Sequence, residues 1–197
     1  MTSRGEMTDQ DLLRAYAESS DMDSLGTFFG RYEESLLRFS GKLLGDSDRA
    51  QDVVQETFIQ VARQPRKLLG IESCHNWLLR VARNIGITQL RQDARARRHA
   101  DRVAERVAGR VAGEAAKAEA ALSTKAERDE TKHRVREVIA KLHPRHRELL
   151  MLKIEESKSY KEIAEITGLT ATNVGYLLHM AMKDLERRLK PLREDLE

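Results

Sequence analysis

The sequence predicts an all-α protein: two small helical domains joined by a flexible linker, the second containing a helix-turn-helix. Three observations carry this. Apolar residues recur at three- and four-residue spacing along most of the chain, and no stretch alternates with the period of a strand. Composition shifts at His99, after which Ala and Gly dominate to about Ala126. Residues 159–189 read as two capped helices around a glycine turn. The domains so expected span 9–98 and 132–189, with 99–131 as linker.

In the first domain a short helix over about 9–18 has Leu12, Leu13 and Tyr16 on its apolar side. A second helix, about 24–44, carries Leu25, Phe28, Phe29, Tyr32, Leu36, Leu37, Leu43 and Leu44. Three of the four phenylalanines lie at 28, 29 and 39, which marks a core stripe. The run Gly45-Asp46-Ser47-Asp48 is a turn and cap for a third helix, over 48–63, with Ala50, Val53, Val54, Thr57, Phe58 and Val61 inward. Its other face carries Asp48, Asp52, Gln55, Glu56 and Gln60, which solvation alone would explain. Gln64-Pro65 ends this helix, and 65–73 reads as a loop. Ser73 caps a long fourth helix toward Arg98, with Trp77, Leu78, Val81, Ala82 and Ile85 inside. Arg80, Arg83, Asn84, Arg91, Arg95 and Arg98 lie on or beside its outer flank, a surface suited to phosphates. A solubilising helix is the plainer reading, but the excess is of one sign.

The linker has small apolar groups and two helix-weakening glycines, Gly109 and Gly113. Val135, Val138, Ile139 and Leu142 form the first stripe of the second domain. Pro144 sits at a helix start, and Leu149, Leu150, Leu152 and Ile154 extend the core. Ser159 and Glu162 form a capping box. Ala164 offers a small residue for a close crossing, Gly168 takes the turn, Thr170 caps the next helix, and Val174 returns to the contact. Ile163, Leu169 and Leu177 complete the small core. This spacing is that of a DNA-binding helix-turn-helix; an αα-hairpin in any helical protein meets the same criteria.

Net charge is only +3, yet its distribution is uneven. Residues 1–60 hold twelve acids against six bases, and 80–110 hold nine arginines against three acids. The single cysteine, Cys74, excludes an internal disulfide and a cysteine metal cluster. The absence of an apolar leader or long apolar run predicts a cytoplasmic protein without membrane insertion. No cofactor or catalytic site is expected: the six histidines are scattered, His143 and His146 flank a helix start, and no Gly-rich phosphate loop exists.

The segments DSDRAQDVVQETFIQVAR (46–63) and NWLLRVARN (76–84) closely resemble region two of bacterial sigma factors. LHPRHRELLMLKIEESKSYKEIAEITGLTATNVGYLLHMAMKDLERRL (142–189) resembles their region four. The short linker resembles the extracytoplasmic-function group, which keeps only these two domains. The match covers about 9–98 and 132–189, and its strength lies in the two regions occurring in this order. The resemblance implies a promoter-specificity subunit of bacterial RNA polymerase with no catalytic centre. It implies docking on core RNA polymerase through Asp52, Gln55, Glu56 and Phe58. It implies reading and opening of the minus-ten element by Asn76, Trp77, Arg80, Arg83, Asn84 and Arg91. It implies minus-thirty-five recognition by Thr170, Thr172, Asn173, Tyr176, His179 and Lys183, with Ser159, Tyr160 and Lys161 bracing a phosphate. It also allows an inhibitory anti-sigma protein as partner.

Two segments depart from the family pattern. Asn173-Val174-Gly175-Tyr176-Leu177 stands where many members have Thr-Val-Lys-Ser-Arg, and Met180 where another basic residue is common. Thr88 stands where the family often has Asp. Rival readings are a helix-turn-helix regulator that never engages polymerase, a helical adaptor without DNA binding, and an enzyme. The pair DVVQETF and WLLRVARN in the first domain argues against the first.

Overall fold

The computed structural model describes residues 6–107, 138–139 and 141–194, with side chains through 100 and from 141 to 190 besides Val138 and Ile139. All regular structure among them is helical. Four helices build the first unit: α1 (Asp9–Ser19), α2 (Met22–Leu44), α3 (Ser47–Arg63) and α4 (Cys74–Val107). The second unit holds α5 (Pro144–Leu150), a π turn (Met151–Glu155), α6 (Tyr160–Thr167) and α7 (Ala171–Glu194).

Each start has a chemical cause. Thr8 and Asp11 form a capping box on α1. Asp21 caps α2, accepting from the Asp23 amide, while Ser24 is buried and donates to Asp21 at 2.6 Å. The helix therefore begins before residue 24, where the sequence reading puts it. Asp46 caps α3 through the amides of Asp48 and Arg49 at 2.9 and 3.1 Å. The expected loop over 65–73 contains a 3₁₀ turn, Pro65–Leu68, because fully buried Leu68 anchors it. Gln10 fastens this turn, donating to the Leu68 carbonyl at 3.0 Å and accepting from the Gly70 amide at 2.9 Å. Ser73 caps α4, accepting from the Asn76 amide. The helix runs on past Arg98 to Val107, since Ala and Arg are strong helix formers.

Phe28, Leu36, Phe39, Val53, Val61, Leu78, Leu79 and Ala82 are essentially inaccessible and fill the space between α2, α3 and α4. Leu12 and Leu13 close that core from α1. Gly86 lets α4 approach α2: a Cβ there would meet Leu43 Cδ2 at 3.0 Å.

In the second unit Leu149, Leu152, Ile163, Ile166, Val174 and Ala181 form the core, with Leu169 and Leu177 half-buried against it. Of the Val135, Val138, Ile139 and Leu142 stripe, Val135 lies outside the described residues, and Leu142 is buried. Ile154 is 59% exposed, not core as expected. The π turn alters the helical phase after Leu152 and rotates Ile154 outward. Pro144 occupies the first turn of α5, with His143 as its cap. Gly168 takes a φ of 73° at the end of α6, the left-handed conformation the helix-turn-helix corner requires.

Candidate nucleic-acid interface

Three surfaces gather the residues singled out from the sequence. The first lies on α3. Asp52 and Gln55 are exposed and Glu56 is half-buried. Phe58 turns sideways and stacks on Phe29, centroids 4.1 Å apart and planes at 10°. It thereby joins Met22, Leu25, Leu37 and Ile59 along a shallow apolar groove beside the acids. A surface of apolar centre and acidic margin suits a partner with apolar and basic side chains.

The second surface is the flank of α4. Arg80, Asn84 and Arg91 are exposed, Trp77 is half-buried against the core, and Asn76 is 7% exposed. Arg83 is committed elsewhere: its guanidinium pairs with Glu148 of α5, and the side chains are 13% and 3% exposed. Asn76 donates to Glu162 of α6 at 3.2 Å, while its own buried Oδ1 has no partner. Asn76, Trp77 and Arg80 thus line a cleft whose far wall is Ser159, Lys161 and Glu165.

Ser159 is spent on its cap. Its amide and hydroxyl both donate to Glu162 Oε2, at 2.8 and 2.7 Å, and its Oγ accepts from the Glu162 amide. These bonds, with help from Asn76 and Lys158, lower the Glu162 carboxyl to about 2. Tyr160 is half-exposed, with the Lys153 ammonium 5.4 Å from its ring centroid.

The third surface is α7. Thr170 caps it, accepting from the Asn173 amide at 3.2 Å. Thr172, Asn173, Tyr176, His179 and Lys183 then follow one face at helical spacing, all exposed; Tyr176 reaches 63%. Gly175 does not point outward with them. A Cβ there would lie 3.5 Å from the Tyr160 ring, toward the start of α6.

Sequence reasoning missed the contacts that cross between the units. Besides Arg83–Glu148 and Asn76–Glu162, Arg38 meets Glu156 at 3.1 Å, Ser35 donates to Glu156 at 2.8 Å, and Lys42 pairs with Glu155. His75 lies among them, within 2.9 Å of Ser35 Oγ and 3.1 Å of Lys158 Nζ. An ammonium only donates, so His75 Nδ1 accepts from Lys158 and the proton sits on Nε2. Burial, then the Lys158 charge, lowers the His75 pKa. Partners as far as 121 residues apart leave no periodic signal to read.

Residues 28–96 match Sigma-70 region 2, and residues 132–185 match Sigma-70, region 4. The chain belongs to the sigma-70-like family, in its extracytoplasmic-function (ECF) group. It is 25% identical over 173 residues to RNA polymerase sigma factor YlaC of Bacillus subtilis, covering 88% of this chain and 96% of that one. It is 24% identical to the ECF RNA polymerase sigma factor SigW of the same organism, covering 89% and 94%. In fold it is similar to the sigma factor RpoE of Bartonella quintana, solved in complex with the anti-sigma factor NepR. There the TM-score is 0.59 at 22% identity, over 80% of this chain and 91% of that one. Sigma factors are not enzymes, and family membership gives this one a general role in promoter binding and polymerase interaction. Among the described residues no helix is long and apolar enough to cross a membrane.

Proposed function

We propose that this sigma factor directs core RNA polymerase to a promoter and helps to open it, with one surface for each task. On α3, Asp52, Gln55, Glu56 and Phe58 dock on the polymerase. The acids bear on basic partner side chains while Phe58 and its groove take apolar ones. On α4, Asn76, Trp77, Arg80, Arg83, Asn84 and Arg91 take the minus-ten element. Arginines there hold the backbone of a separated strand, Arg83 once it leaves Glu148, and the Asn76 amide offers a donor and an acceptor to a base edge once α6 no longer covers it.

The exposed face of α7 enters the major groove of the minus-thirty-five element. Thr172, Asn173, Tyr176 and His179 meet bases, and Lys183 meets a phosphate. Tyr160 and Lys161 brace the backbone through side chains and the amides at the start of α6. With no cation at 175, 177 or 180, fewer phosphates are neutralised than in a more basic helix, so salt dependence is shallow.

The observation that carries this reading is the coexistence of two open faces on one chain: acids and amides on α3, and a row of groove-sized polar groups on α7. The resemblance to a fold solved with an anti-sigma factor extends it to such a partner. Reconstituted transcription with purified core polymerase on promoter fragments tests it. Specific start sites that require the chain support the reading. Failure of the folded chain to associate with folded polymerase refutes it.

A further inference from the structure

Gln10 of α1 commits its side-chain amide to a segment 58 to 64 residues further along. Its Nε2 donates to the Leu68 carbonyl at 3.0 Å and to the Ile71 carbonyl at 3.4 Å, and lies 3.8 Å from Cys74 Sγ. Its Oε1 accepts from the Gly70 amide at 2.9 Å, so both ends of the amide are used. Gly70 is where the loop turns, at a φ of 81°. Leu12, Leu13 and Leu68 are fully buried, and α1 packs directly on the 3₁₀ turn, so the latch stands on a fixed platform.

The segment so held leads into a functional surface. Ile71, Glu72 and Ser73 line the same cleft as Asn76, Trp77 and Arg80. Ser73 is used on the cap of α4, accepting from the Asn76 amide at 3.2 Å. Ile71 is half-buried and apolar, and Glu72 is exposed. An apolar side chain packs on a base, and a carboxylate accepts from an exocyclic amine. Arg80, also exposed, suits a phosphate instead.

We propose that Gln10 is a positioning residue for minus-ten recognition. It touches no DNA itself; it fixes the backbone over 68–71 so that Ile71 and Glu72 meet bases of the separated strand. This rests on the reading of α4 as the minus-ten surface. The bonds of Gln10 lie within the first unit, so they hold whether or not α5 and α6 stand against α4. A loose loop loses conformational freedom on binding, and a loop held beforehand presents one geometry to the strand. Discrimination between bases, more than grip on the backbone, depends on that order.

The test uses holoenzyme assembled from core polymerase and the full chain carrying Gln10→Glu. A carboxylate there still accepts from the Gly70 amide but brings no donor to the Leu68 and Ile71 carbonyls. The probe is fork-junction DNA from a promoter mapped by its start site, with the nontemplate minus-ten strand unpaired. It is used matched and with each minus-ten base replaced in turn, well below the melting temperature of every variant. The variant should assemble as wild type does. Its affinity for the matched fork should fall about tenfold, and its penalty for one or more replaced bases should shrink by a similar factor. Gly70→Ala strains the left-handed turn from the other end of the same bond and should lose discrimination likewise. Tyr16→Phe removes the bond from the same helix to the Ala62 carbonyl, outside the loop, and should keep wild-type discrimination.

If Gln10→Glu fails to assemble, Gly70→Ala decides by the same comparison. A variant that melts lower yet keeps the wild-type penalty for every replaced base makes the latch a structural tie and overturns the proposal. Equal loss on matched and replaced forks overturns it too, because fewer phosphate contacts would do the same. Arg80→Ala separates this from the reading beneath it and should weaken all forks by a similar factor. That uniform loss beside an unaltered Gln10→Glu overturns only the latch; no effect of Arg80→Ala on any fork overturns the minus-ten assignment of α4.

Discussion

Replacing Gly175 with alanine should stabilise the protein, although the position lies in the helix proposed to read DNA. Glycine in a helix interior costs about 1 kcal/mol against alanine, through backbone freedom lost on folding. The added methyl would sit 3.5 and 3.7 Å from the Tyr160 ring, ordinary contact distances that ask nothing to move. The net gain is then about 1 kcal/mol, or about 4 °C or more in a domain of this size. Gly86→Ala is the control. The same propensity gain applies, but its methyl meets Leu43 Cδ2 at 3.0 Å. Overpacking of this kind costs about 1 kcal/mol or more, which offsets the gain. Thermal unfolding followed by circular dichroism distinguishes the two. Because Gly175 faces Tyr160, affinity for minus-thirty-five duplex should hold in its variant. A lower melting temperature for Gly175→Ala, or an equal rise for both variants, would refute the packing argument. Lost duplex affinity would show that residue 175 faces DNA after all.

Glu56→Arg should weaken association with core polymerase while leaving duplex binding intact; unchanged association by gel filtration rejects the docking surface on α3. Lys183→Ala should lower affinity for minus-thirty-five duplex and reduce the slope of log affinity against log salt by about 1. A slope equal to wild type would remove Lys183 from the phosphate contacts. His75 gives a pH dependence. It faces Lys158, Glu156, Arg38 and Glu162, with Tyr32 stacked 5.5 Å away. Its pKa is lowered from 6.5 where the two units pack together, so a form with the units apart binds the proton more readily. The contribution to this packing is complete above pH 6.5 and is lost as pH falls below it. Scattering should show expansion in that direction, and His75→Gln should abolish the trend. Glu162, held near 2 by its cap, titrates in a far more acidic window and does not confuse the measurement.

Local order was legible wherever one residue's chemistry decides one turn. Asp46, Ser73, Ser159, Gly168 and Thr170 cap or turn the chain where their side chains predict. Periodicity found the polar face of α3 as well, because a helix sorts polar from apolar by spacing alone. Ile154 was misplaced because a π turn breaks the phase that periodicity assumes. The start of α2 was set too late: Asp21 caps the helix ahead of Met22, and Ser24 already lies within it as a buried donor to Asp21. The contacts between units were invisible for another reason. With 35 lysines and arginines and 32 acids in the chain, no local rule says which cation meets which carboxylate.

The carboxylates that the second unit sets against α2 and α4 also change what salt should do. When a free basic surface binds nucleic acid, condensed counterions are released, and affinity falls steeply with salt. Where the units pack together, Arg38, Lys42 and Arg83 are already neutralised by carboxylates. A strand that displaces those carboxylates returns them to water, where they gather cations and offset part of the release. Salt also screens the exposed Lys42–Glu155 pair more than the buried Arg83–Glu148 pair, so it loosens this packing while it weakens DNA contact. Both effects act in one direction. Wild-type affinity for the minus-ten strand should fall less steeply with salt than that of the Glu148→Gln, Glu156→Gln variant. Anisotropy titrations across a salt series measure the two slopes. Parallel lines would mean that the strand never competes with the carboxylates, and the cations of α2 and α4 would then be structural ties alone.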